Sequence, residues 1–173
     1  MSSPENKDTK GHSGTPTFYF IVTILQTVVL PIVFGWSELS SNGGEPILVF
    51  GKWWVFWGVG TRLLAAGIFQ VFGGGMTLKI LGADKPTEQE RQLARELGTA
   101  NIGMGLAGLL ALQAGWIVPA GLAGGVFLLL AGLMHVAKKG KNAQETVATW
   151  TDLVVGVVVV IVALYVLIPI WFG

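Results

Sequence analysis

GTANIGMGLAGLLALQAGWIVPAGLAGGVFLLLAGLMHVA, residues 98–137, consists of two apolar segments joined by a very short turn, both studded with small residues. The first arm has Gly or Ala at 98, 100, 103, 105, 107, 108 and 111. Within it Gly103, Ala107 and Ala111 recur every fourth residue, which places them on one side of a helix. The second arm opens with Pro119, suited to a first helical position because its missing N–H has no partner there anyway. It continues with Gly121-Leu-Ala-Gly-Gly125, a GxxxG pattern, and Gly132 follows. Lipid supplies no hydrophobic drive between helices, so close backbone approach at small residues is the usual glue. The expected packing positions are therefore Gly103, Ala107, Gly121 and Gly125. Only 114–118 lie between the arms, with Trp116 at the tip, so the arms form an antiparallel transmembrane hairpin.

Composition agrees with a membrane setting. Of the 173 residues, 52% are hydrophobic and 12% charged, against about 25% charged in ordinary soluble domains. The mean hydropathy is +0.65. Several apolar runs approach or exceed the ~18–20 residues needed to cross a bilayer. The fold class expected is all-α: a polytopic membrane helix bundle of five transmembrane helices, in one domain over 18–173. A net charge of +1 argues against nucleic acid as a partner. The absence of Cys removes disulfides, iron–sulfur clusters and thiolate zinc sites.

Taken in order, 1–17 is polar and reads as a disordered cytoplasmic tail, too long and polar for the n-region of a signal peptide. The first span covers 18–36, with Gln26 and Thr27 near its middle and Pro31 set to kink it. A loop over 37–51 follows. The second span, 53–72, contains Arg62 and Gln70, eight apart and so roughly on one face. Gly73-Gly74-Gly75 reads as a stop or hinge: no strand precedes it and no GK[ST] follows, so it is not a phosphate loop. Residues 76–81 are expected along the interface. Thr87 with Glu90 makes a capping box, and nothing breaks the helix from Glu88 to about Gln113. The third span is 97–114 and the fourth 119–137. Asn142 with Glu145 resembles a second cap, after which the fifth span crosses at 150–171. Its β-branched run Val154 to Ile161 would suit a strand in water, but an open strand in lipid leaves its backbone unsatisfied.

Orientation follows from charge. Lys7, Lys10, Lys79, Lys85, Arg91, Arg95, Lys138, Lys139 and Lys141 fall on one side of a five-span chain. Lys52 alone is on the other, and Arg62 lies within a span. The positive-inside rule then places the N-terminus in the cytoplasm and the C-terminus outside. Tryptophan gives the same answer, with Trp36, Trp53, Trp54, Trp57, Trp116 and Trp171 at the outer interface and Trp150 at the inner.

Two places carry candidate chemistry. Arg62 is a charge deep in the membrane, which is costly and needs a partner. The spans show no carboxylate at matching depth, whereas Gln26 and Thr27 are level with it. It either bonds neighbouring helices or holds an anion, a quinone carbonyl or a lipid headgroup. The second place is a polar cluster near the cytoplasmic face: Glu96, Asn101, His135 and Asp152. Asp152 shares a helix face with Glu145 and Thr149. His–carboxylate pairs serve proton transfer and metal binding. A transition-metal site from His135, Glu96 and Asp152 is open to them but has no specific ligand spacing. The reading preferred is polar residues that tie helix ends together, with no metal or other cofactor expected. One span-end His cannot give bis-His haem ligation, and no nucleophile has a partnered base.

Arg-Glu-Leu-Gly98-Thr-Ala-Asn101, the Gly/Ala hairpin, Ala131-Gly-Leu-Met-His135, Asn142 and Asp152 together resemble a family of small prokaryotic integral-membrane proteins carried as a domain of unknown function. The chain is more loosely similar to DoxX-like four-helix membrane proteins. The matching positions are Arg95, Glu96, Gly98, Asn101, His135, Asn142 and Asp152, within Trp53 to Leu167. The resemblance implies a four-helix family core to which the first span is an addition, in the plasma (inner) membrane. It implies no established activity. The functional expectation is a non-enzymatic accessory, structural or assembly component packed through Gly/Ala-rich faces. Its partners are the lipid bilayer and either other membrane subunits or further copies of itself. The alternative is a binder or transporter of a small anion, quinone or lipid that uses Arg62, with Gln26 and Gln70 beside it and His135 and Asp152 within.

Overall fold

Pro31 shapes the first helical rod. It has no N–H to give the carbonyl four residues back, that of Thr27. The chain answers with a π-helical turn, Leu25–Val29, between α1 (Thr15–Ile24) and α2 (Leu30–Asn42). The stranded Thr27 oxygen accepts from Trp54 Nε1 of the next rod at 2.9 Å. The kink expected at Pro31 is thus taken up as a π-bulge, one of the usual causes of helix irregularity. This computed structural model describes residues 15–73, 78, 85–113 and 115–172. The expected tail lies outside the described residues up to 14, and helix already runs from Thr15. Gly74, Gly75 and most of 76–81 also lie outside them.

Residues 37–51, expected as a loop, are helical apart from a three-residue turn at 43–45. The breakers sit there and nowhere earlier. Gly43 and Gly44 take φ +69° and +114°, a region that disfavours residues with a Cβ, and Pro46 then fits the first helical position. The second rod is α3 (Pro46–Trp54), a second π segment (Val55–Thr61) and α4 (Arg62–Phe72). It ends where the Gly73 N–H reaches Phe69 O at 2.8 Å.

Thr87 opens α5 (Glu88–Leu109) with a full capping box. The Thr87 backbone N–H and hydroxyl both donate to Glu90 and hold its carboxyl below the usual glutamate range. A 3-10 turn, Leu110–Leu112, closes this helix. Gly115 at φ +86° then reverses the chain into α6 (Ile117–Ala137). Pro119 is the third residue of α6, not its first. The first four N–H groups of a helix have no partner, so this position suits proline as well. The last helix, α7, is Ala143–Phe172.

Glycine contacts set the register. A Cβ on Gly108 would stand 2.5 Å from Gly60 Cα, and one on Gly67 would stand 2.6 Å from Gly98 O, so α5 runs antiparallel against the second rod. Against α7, a Cβ on Gly125 would meet Val159 at 2.5 Å and one on Gly132 would meet Leu153 at 2.8 Å, so α6 and α7 are antiparallel too. Gly121 sits on that same seam. Gly103 does not pack: it is exposed, with nothing within 4 Å of where its Cβ would be. An i, i+4 stripe drifts by about 40° per step because a helix turns about 100° per residue. Only its far end, Ala111 at 1% exposure, is buried, and Ala107 is half-buried. The face of α5 that packs is Gly98, Asn101, Gly105 and Gly108. The core beneath these contacts is Val55, Val59, Leu63, Ala111, Ala120, Leu128, Val155 and Val159.

The described residues are mostly helical, with no strand among them. Four helices are long and apolar enough to cross a membrane: Thr17–Asn42, Pro46–Phe72, Ile117–Ala137 and Ala143–Ile168. This is the architecture of a membrane protein. The five-helix expectation exceeds that set, because α5 is not among the four. Its first two turns are charged and much of the rest is Gly, Ala, Thr and Asn.

Candidate functional site

The second π segment delivers Arg62. Its backbone N–H reaches back to Trp57 O and Val59 O as the wide turn ends. The segment before it packs antiparallel on α7: Gly51 lies against Val162 and Gly58 against Val155. That register places Arg62 opposite Thr151. Arg62 Nη2 donates to Thr151 Oγ1 at 2.9 Å and to Asp152 Oδ1 at 2.5 Å. The two charged side chains are 12% and 11% exposed. The expectation that no carboxylate sits level with Arg62 is therefore corrected: Asp152 does. Asp152, expected in the polar cluster near the cytoplasmic face, is aligned with Arg62 by the helix contacts. Arg62 Nη1 is buried and has no partner in the structure.

The other polar groups expected near Arg62 are engaged elsewhere. Gln26 Nε2 donates to Thr61 Oγ1 at 3.1 Å, joining the two π segments, and Thr27 Oγ1 donates to Thr23 O at 2.7 Å. Gln70 Oε1 accepts from Asn101 Nδ2 at 2.7 Å. Eight residues turn a helix by about 80° beyond two full turns. Arg62 thus faces α7 while Gln70 faces α5.

The cluster expected at the inner end separates. Glu96 is exposed and accepts from Gln92 at 3.1 Å. Asn101, 3% exposed, belongs to the Gln70 pair. His135 joins Glu145, 2% exposed, a residue expected as part of a cap and on the Asp152 face of its helix. Glu145 Oε1 lies 3.4 Å from His135 Nδ1 and 2.7 Å from Lys138 Nζ. The Glu145 backbone N–H donates to Asn142 Oδ1 at 2.8 Å, and Lys141 Nζ donates to His135 O at 2.8 Å. This clip fastens the end of α6 to the start of α7. Among the described residues no group of three His, Asp or Glu side chains is placed to hold a metal ion, so Glu96, His135 and Asp152 do not assemble as a three-ligand metal site.

The opposite end has ties that sequence reading missed. Lys52 Nζ and Trp53 Nε1 both donate to the Glu38 carboxylate, at 2.5 and 2.7 Å. The Tyr165 hydroxyl donates to Glu45. These pairs join segments 14 to 120 residues apart, and no local spacing announces them.

A family model described as a family of unknown function, DUF6790, matches residues 15–170. The match starts at residue 15, so the first rod lies inside the family's extent and is not an addition to it. No curated protein and no solved structure matches the chain.

Proposed function

The chain belongs to the DUF6790 family of unknown function, and from that premise we propose that it is a non-enzymatic structural or assembly component of a prokaryotic inner membrane. The observation that carries this reading is the Arg62–Asp152 pair. Arg62, its side chain 12% exposed, is neutralised inside the bundle, and the helices around it close through glycine contacts. We further propose that α5 supplies a fifth crossing. It runs alongside the second rod from Gly98 to Gly108 and turns into α6 within a few residues. A crossing there also keeps Arg91 and Arg95 on the same side as Lys138, Lys139 and Lys141, which favours an inward N-terminus.

Native mass spectrometry of protein extracted from its own membrane tests this role. The proposal expects a second membrane protein at fixed stoichiometry, or a defined homo-oligomer. A lone monomer would overturn it. The unpartnered Arg62 Nη1 favours a second reading, a binder of a small anion, quinone or lipid. That reading expects a defined small-molecule mass on the wild type that is lost in Arg62→Gln.

A further inference from the structure

The buried polar face of α7 has a direction. Glu145, Thr149 and Asp152 follow at spacings of four and three, so they share one side of the helix. They are 2%, 2% and 8% exposed. Thr149 Oγ1 donates to Glu145 O at 2.7 Å. Beyond Asp152 the same helix turns apolar, with Val155 and Val159 both at 0% exposure. The polar face therefore leads from the Lys138 end of the bundle to the Arg62 pair and stops there.

His135 stands beside this track. Gly132 packs on Leu153, so in the antiparallel register His135 is level with about Trp150, between Glu145 and Asp152. Its ring reaches Glu145 at 3.4 Å. At the outward end of the series Lys138 is 44% exposed, so the series opens to solvent there. The titratable groups facing Asp152 from the neighbouring helices are Arg62 from the second rod, His135 from α6 and Tyr19 from α1. Rows of Asp, Glu and His inside a membrane bundle mark proton pathways in pumps and transporters.

We propose that Asp152 is a proton-accepting site, supplied from the Lys138 end of the bundle through Glu145 and His135. In the last step the His135 imidazolium gives its proton to the Asp152 carboxylate. The products are neutral imidazole and a carboxylic acid, and Arg62 is released from its ion pair with Thr151 still in reach. The inference does not depend on the assembly role proposed above. It concerns what the bundle interior exchanges with the solution.

Time-resolved infrared spectroscopy of the full chain in lipid nanodiscs, after photolytic release of a caged proton, reads this directly. The wild type is expected to develop a protonated-carboxyl band that shifts in D2O and is absent from Asp152→Asn. Asp152→Asn leaves the Arg62 charge unpaired, so Arg62→Gln/Asp152→Asn, which removes both charges, provides the same assignment if the single variant does not fold. In His135→Gln and Glu145→Gln the band is expected to rise on the order of a hundred-fold more slowly, the scale of losing a positioned proton-transfer group. A residue that only fastens helix ends would not alter that rate. The proposal is overturned if no band depends on Asp152, or if the band rises at the wild-type rate in both the His135 and Glu145 variants.

Discussion

Arg62 and Asp152 show how strongly two residues can depend on each other across 90 positions. Each alone would leave a charge at about 12% exposure with nothing to balance it. Removing one partner of such a pair typically costs about 3–5 kcal/mol, whereas removing both is far milder. Asp152→Asn should therefore lose about 3–5 kcal/mol in reversible denaturant unfolding, and Arg62→Gln/Asp152→Asn should recover most of the loss. Equal losses in the single and double variants would show that the pair does not act as a unit. The sequence shows that Arg62 needs a partner, because a charge within an apolar run is plain to read. It does not show which residue answers. That depends on the register of the second rod on α7, set by Gly51 and Gly58 against valines about a hundred residues away. Glu145 was partly legible for the same reason: its capping spacing is local, while the His135 and Lys138 contacts that bury it are not.

Helix identities and most ends were legible because their signals are local. Thr87 and Glu90 cap α5 as their spacing requires, and Gly43-Gly44-Glu45-Pro46 marks the first reversal once the helices are allowed to run past the apolar core. Helix faces were less legible, because small residues occur on several sides of α5 and only tertiary contact selects one. The selected face makes a graded prediction. Gly108→Leu and Gly125→Leu place bulk where a Cβ already meets Gly60 and Val159 at 2.5 Å, so both should lower folded yield and thermal stability sharply in detergent. Gly103→Leu points into open space and should leave stability near wild type or slightly raised, since leucine favours helix by up to about 1 kcal/mol over glycine. Equal sensitivity at 103 and 108 would mean that α5 packs by a different face.

At the scale of the whole molecule, four apolar helices identify a membrane protein, and the crossing of α5 decides everything about its sides. If α5 crosses, the Glu145–His135–Asp152 series and the basic residues open to the same side of the membrane. If it does not, Arg91 and Lys138 fall on opposite sides. The chain has no cysteine, so single-cysteine variants need no prior clearing of the background. The decisive measurement is labelling of Gln92→Cys and Gln113→Cys in intact cells with a membrane-impermeant maleimide, before and after permeabilisation. The five-crossing account predicts that Gln113→Cys labels from outside and that Gln92→Cys labels only once the membrane is opened. Labelling of both from the same side would contradict it.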